Sequence, residues 1–143
     1  MAAEYSYTPL QTVAEDDNIL FFNGCRACNK GYITHRADSG IFRLKGASNV
    51  CKTIYKVEFN ANIAVATGGT VGPISVALTE DGEVIGNAVA IVTPAAIGDF
   101  FNVSLSTFII VPCSCCVTVT VRNDSDGTAI DVTNANIIFE RIA

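Results

Sequence analysis

Six cysteines are the side chains of this sequence whose type and spacing could support chemistry. They form a Cys-x-x-Cys pair, one isolated cysteine and a Cys-x-Cys-Cys run: Cys25, Cys28, Cys51, Cys113, Cys115 and Cys116. If the two clusters meet in space, two thiolates from each could bind zinc, although the Cys-x-Cys spacing is tighter than usual and no metal is expected. The alternatives are disulfides, within or between chains, and buried free thiols. The candidate disulfide or thiol cluster comprises Cys25, Cys28, Cys113, Cys115 and Cys116.

Little else in the sequence indicates catalysis. His35 is the one histidine, and we interpret it as a surface residue because it lies beside Arg36 and Asp38 in a predicted turn. There is no Gly-x-Ser-x-Gly motif and no glycine-rich loop that leads from a strand to a helix. The acidic turns at residues 80–83 and 124–126 do not have the spacing of an EF-hand loop. The sequence therefore predicts a protein that is not an enzyme and has no cofactor.

Composition and charge narrow the class of protein further. The 143 residues suffice for one domain, and with 50% hydrophobic and 16% charged residues they indicate a globular protein with a sparsely charged surface. A formal net charge of -5 disfavours nucleic acid and anionic lipid as partners. No apolar run reaches the roughly 18 residues of a membrane-spanning helix, and no signal peptide is evident. We expect a soluble protein that is made in the cytosol of the cell that produces it.

Hydrophobicity alternates with period two along most of the chain, which is typical of strands with one buried face. The clearest run extends from Thr53 to Val65, and turn sequences such as Asp81-Gly82 separate the later runs as in antiparallel hairpins. Helical periodicity is absent, and residues 93–99 read as a loop with at most one helical turn. We predict an all-β antiparallel sandwich, barrel or jelly roll that forms a single domain over residues 19–143.

Residues 1–18 differ from the rest in lacking a strong periodic pattern. They carry Tyr5, Tyr7 and the acidic run Glu15-Asp16-Asp17. One interpretation is a disordered start of the chain. The other, which we adopt, is an amino-terminal arm in which Tyr5 and Tyr7 dock onto a partner, because tyrosine is favoured at protein interfaces.

Some predicted strands are apolar on both faces. Phe108 and Ile110 lie opposite an apolar face of their strand, and Ile138 and Ile142 do the same in the last one. A two-layer sandwich needs only one buried face per sheet. Loops or the amino-terminal segment could cover these four side chains, but large apolar patches are rarely left in water. We therefore predict a subunit interface at Phe108, Ile110, Ile138 and Ile142.

Several short stretches of the sequence resemble those of a known protein family. They are YKVEFNANI (55–63), PISVAL (73–78), VTPAA (92–96), FNV (101–103), VPCSCC (111–116), NANII (134–138), YTPLQTV (7–13) and NKGYI (29–33). On these stretches the chain resembles the tumour-necrosis-factor-like (TNF-like) or C1q-like jelly-roll proteins of Firmicutes phages and prophages. The resemblance implies a jelly-roll sandwich that assembles as a homotrimer on a virion or another surface. The collagen-like stalk of some relatives has no counterpart here.

Three functions fit these observations. The first is a virion structural protein, a trimeric capsid decoration or head-fibre protein on the outside of a phage capsid, whose partners are itself and the major capsid protein or another virion protein. The second is a structural subunit of a bacterial spore or surface appendage that is cross-linked by its cysteines. The third is a receptor- or glycan-binding tip of a tail fibre.

Overall fold

Ten strands in two antiparallel sheets account for most of the chain that the computed structural model describes, which is residues 2–22, 31–47, 49–113 and 115–143. The strands are β1 (Ala2–Tyr7), β2 (Gln11–Val13), β3 (Ile33–His35), β4 (Phe42–Lys45), β5 (Lys52–Val65), β6 (Ile74–Glu80), β7 (Glu83–Val92), β8 (Phe101–Pro112), β9 (Cys116–Asn123) and β10 (Ile130–Arg141). The first sheet has the order β1-β10-β5-β8, with β2 also paired to β10, and the second has the order β3-β4-β9-β6-β7. The predicted all-β antiparallel sandwich is confirmed. No helix in the described ranges is long and apolar enough to cross a membrane.

Period-two alternation places the core between the sheets. In β5 the buried residues Tyr55, Val57 and Phe59 alternate with partly exposed polar ones. The predicted hairpin between β6 and β7 turns at Asp81 and Gly82, whose φ angles of 51° and 87° are both in the left-handed region that such tight turns require.

Aromatic rings join the two sheets near the middle of the core. The ring centroid of Phe42 in β4 lies 4.9 Å from those of Tyr5 in β1 and Phe139 in β10. Phe21 packs on the same ring at 5.3 Å. Side chains from both sheets therefore interdigitate, as in other two-sheet sandwiches.

Residues 2–7 and 11–13 are strands of the first sheet, which corrects the prediction of a separate arm over residues 1–18. β1 pairs with β10 from Ala2 opposite Glu140 to Tyr7 opposite Ala135, and β2 continues along the same strand. A bulge in β10 between Thr133 and Asn136 coincides with the break between β1 and β2. The sandwich thus begins at residue 2 rather than at residue 19.

The pairing of β1 with β10 determines where Tyr5 and Tyr7 lie. Tyr5 is buried and faces the core, so it is not a docking anchor. Tyr7 is partly exposed, with its ring 4.3 Å from that of Phe22. The sequence pattern missed the strand because only Ala3 and Tyr5 alternate as buried residues, which is too short a run to recognise alone.

Candidate subunit interface

The outer face of the first sheet carries a cluster of apolar side chains at the end where β5 begins. Ile54 in β5 lies opposite Ile110 in β8, and its carbonyl oxygen accepts a 2.9 Å hydrogen bond from the backbone of Ile142. Further along the same face, Phe108 in β8 lies opposite Lys56 and Ile138 in β10 lies opposite Glu58. We call this set the apolar patch: Ile54, Phe108, Ile110, Ile138 and Ile142.

Exposure distinguishes the apolar patch from the core. Phe108 is 62% exposed, Ile110 51% and Ile142 48%, whereas Ile109, which points to the other face of β8, is 1% exposed. Ile54 and Ile138 are partly exposed. The structure therefore brings together all four side chains that were predicted to form a subunit interface, and it adds Ile54. Side chains of this size and exposure are suited to burial by association.

An ion pair lies next to the apolar patch on the same face of β5. The Lys56 ammonium group is 2.8 Å from the Glu58 carboxylate, and each side chain is a little less than half exposed. The hydrogen bond to Glu58 is the main reason that the pKa of Lys56 is raised. Because the two charges neutralise each other, the pair is less of an obstacle to a facing surface than either charge alone.

The other half of the same face is made of amides and hydroxyls. Asn102 donates a 3.2 Å hydrogen bond to the side-chain oxygen of Asn62, and Asn62 donates one of equal length to Asn134. Asn60, opposite Ser104, fills the row between this ladder and Glu58. The sequence analysis did not predict that asparagines from three strands would form a ladder.

A second exposed apolar region lies at the end of the sandwich where β5 ends and β8 begins. The loop 93–100 reaches the end of β5, since the Gly98 amide donates a 3.2 Å hydrogen bond to the Val65 carbonyl, and the loop 66–73 starts at the next residue. They expose Val71, Ile97 and Phe100. We call these three residues the apolar tip, and the sequence analysis did not identify them.

The cysteines that the structure describes lie at the opposite end. Cys51 and Cys113 are exposed free thiols, and Cys115 is joined to Cys116 in a disulfide. Cys25 and Cys28 lie outside the described residues, so the predicted cluster that includes them stays a prediction. Among the described residues, no group of three or more histidine, cysteine, aspartate or glutamate side chains is placed so that it could hold a metal ion.

His35 and Asp81 have structural roles. The His35 ring stacks on Phe42 at 4.5 Å and hydrogen-bonds the Ser39 carbonyl, so it is partly buried rather than the surface residue that the sequence suggested. Asp81 accepts hydrogen bonds from the backbone and hydroxyl of Thr118, which fixes the β6–β7 turn.

The architecture and strand order define a jelly-roll fold of the TNF-like and C1q-like type. The chain is similar to Eiger TNF from S. frugiperda, with a TM-score of 0.68 and 12% identity over 100% of this chain and 92% of that one. It is also similar to the globular domain of zebrafish complement 1qA (TM-score 0.59, 10% identity, 99% and 97% covered). A third similar structure is the PRD1 vertex protein P5 (TM-score 0.52, 16% identity, 99% and 96% covered). At these identities the likeness shows the fold alone. The sequence matches no protein-family model and no curated protein.

Proposed function

We propose that this protein is a non-enzymatic virion structural protein that assembles as a homotrimer and decorates the outside of a phage capsid. The observation that carries the proposal is the apolar patch, which needs a covering partner. Fold similarity to a phage vertex protein is compatible with a place on a virion.

The size of the face suits a subunit interface. Four strands about 4.8 Å apart and five rows of side chains about 7 Å apart give an area on the order of 600 Å². A stable interface buries about 800 Å² on each partner, so the whole face, including the asparagine ladder, would be needed. The apolar patch would supply most of the free energy and the amides a polar periphery that tolerates water.

Because β1 and β2 are paired in the sheet and Tyr5 is buried, we place the attachment to the capsid on another surface. The apolar tip is the surface that we assign to this contact. It lies in loops at one end of the sandwich, outside the face that the trimer would bury, and it exposes three large apolar side chains.

Co-sedimentation with phage particles that lack this protein tests the attachment. Wild-type protein should pellet with the particles, and Phe100→Asp should remain in the supernatant. Leu10→Asp is the control, because Leu10 is also exposed but lies in the turn between β1 and β2. Loss of binding in both variants, or in neither, would contradict attachment through the apolar tip, and no pelleting of the wild type would contradict the virion role.

The exposed thiols favour one competing function, a surface subunit cross-linked through cysteines. Cys51 and Cys113 are both accessible to a neighbouring molecule. Electrophoresis of the native assembly without reductant separates the two functions. Covalent multimers that collapse with reductant would favour the cross-linked subunit, and monomers in both lanes would favour the non-covalent trimer.

A further inference from the structure

Cys51 and Cys113 face each other across neighbouring strands. The register of β5 and β8 ends with Lys52 opposite Pro112, and one step further places Cys51 opposite Cys113. The pairing does continue for that step, since the Cys113 amide donates a 3.3 Å hydrogen bond to the Cys51 carbonyl. The two free thiols are therefore cross-strand neighbours, although 61 positions separate them in a sequence where Cys51 appears isolated.

This placement suits a disulfide. Directly opposite residues in a hydrogen-bonded antiparallel pair have Cα atoms about 5.5 Å apart. Disulfides usually join Cα atoms about 4.4 to 6.8 Å apart, so Cys51 and Cys113 fall within the range. The Cα atoms of Cys115 and Cys116 are 3.7 Å apart, which is below this range.

The existing disulfide lies beside this pair. Cys113, Cys115 and Cys116 line one cavity of about 240 Å³ together with Lys45 and Gly46. The chain turns there, because the Cys115 amide donates to the Pro112 carbonyl at 3.4 Å. Only one residue separates Cys113 from Cys115 in the sequence, so the free thiol and the disulfide lie at the same turn.

A cation is positioned to assist breakage of the existing bond. The Arg43 guanidinium donates a 2.7 Å hydrogen bond to the Cys116 sulfur. A thiolate that leaves from Cys116 would have this positive charge in direct contact, and thiol–disulfide exchange is faster when the leaving thiolate is stabilised.

We propose that Cys51, Cys113, Cys115 and Cys116 form an internal thiol–disulfide exchange unit that moves the disulfide from Cys115–Cys116 to Cys51–Cys113. In the first step the Cys113 thiolate attacks the Cys115 sulfur, and Cys116 leaves as a thiolate beside Arg43. In the second step the Cys51 thiolate attacks the Cys113 sulfur, and Cys115 leaves. Two protons pass from Cys51 and Cys113 through solvent to Cys115 and Cys116. One disulfide is present before and after, so no external oxidant or reductant is required.

Peptide mapping can follow this transfer. Trypsin separates Cys51, in peptide 46–52, from Cys113, Cys115 and Cys116, which share peptide 57–122. Protein purified without reductant is held at pH 6, shifted to pH 8.5 to increase the thiolate fraction, blocked with N-ethylmaleimide at intervals, digested and analysed by mass spectrometry. We expect the Cys115–Cys116 disulfide in the sample held at pH 6 and, after the shift, the accumulation of a linked 46–52/57–122 species in which Cys115 and Cys116 are alkylated. The rate at which the linked species forms should be the same at two protein concentrations.

Variants separate the proposed route from alternatives. Cys113→Ser should leave Cys51 alkylated and the Cys115–Cys116 bond intact, whereas Cys51→Ser should stop the reaction at a Cys113–Cys115 disulfide. Arg43→Gln should slow transfer several-fold without changing the melting temperature, because Arg43 is exposed. The proposal is overturned if Cys51 stays free in the wild type, if Cys51 is linked to a peptide containing Cys25 or Cys28, or if the linked species joins two chains.

Discussion

Replacing Ile110 with aspartate provides the sharpest test of the apolar patch. Ile110 is 51% exposed on the outer face of β8. Ile41 has the same residue type and the same 51% exposure, but it precedes β4 at the second sheet. Ile110→Asp and Ile41→Asp thus make the same chemical change at two positions of equal exposure, and only the first one falls on the proposed interface.

The expected effect on assembly can be worked from this exposure. Full burial of an isoleucine side chain contributes about 1.5 to 3 kcal/mol, so burying the exposed half contributes about 1 kcal/mol per subunit or slightly more. Three equivalent sites lose about 3 to 4 kcal/mol, which lowers the trimer association constant by two to three powers of ten. Burial of three unpaired carboxylates adds several kcal/mol per site.

Light scattering after size exclusion at micromolar concentration measures the outcome. Wild type and Ile41→Asp should elute as trimers, and Ile110→Asp should elute as a monomer. Thermal unfolding checks that the monomer is still folded, which is expected because the side chain does not enter the core. A monomeric wild type would refute the reasoning, as would equal dissociation of the two variants.

Three further changes test the fold. Tyr5→Ala should lower the free energy of unfolding by about 3 to 5 kcal/mol in chemical denaturation, since Tyr5 is a core residue, whereas an arm residue would have no effect. Gly46→Ala should lower the melting temperature because the new methyl group would clash with the Pro112 backbone carbonyl, and Gly86→Ala, which has open space, is its control. Burial and, secondarily, Asp81 raise the pKa of Glu80, so its ionised form opposes folding at neutral pH. Glu80→Gln should therefore raise the melting temperature at pH 7, and the gain should disappear below about pH 4, where Glu80 is protonated in both states.

Local patterns predicted the fold where one strand is long and clearly alternating. The run from Thr53 to Val65 contains most of β5, and Asp81-Gly82 marks the β6–β7 turn. β1 was missed for a physical reason: its position depends on pairing with β10, and local alternation carries no information about a partner so distant in the sequence. For the same reason the sequence analysis interpreted Tyr5, a core residue, as a docking anchor.

The candidate sites also divide into features that local alternation predicts and features that depend on pairing between distant strands. Period-two alternation was enough to place Phe108, Ile110 and Ile138 on the outer side of their strands, because it depends only on neighbouring residues. The opposition of Cys51 and Cys113 depends on the register between two strands, which spacing along the chain does not encode. The asparagine ladder likewise required the alignment of three strands.

The pairing of β1 with β10 also governs when the sandwich can be completed. During synthesis β1 emerges long before β10, and β5, which pairs with β10 along one side, is left with that edge open over most of its length. Open edges of long strands attract other chains, and contacts between distant parts of a sequence form slowly. Once β10 of one chain has been made, it could pair with β1 of a neighbouring chain on the same messenger instead of its own, which would produce a strand-swapped assembly that competes with correct folding. The rate at which β1 finds its own β10 would then set the yield of native subunits.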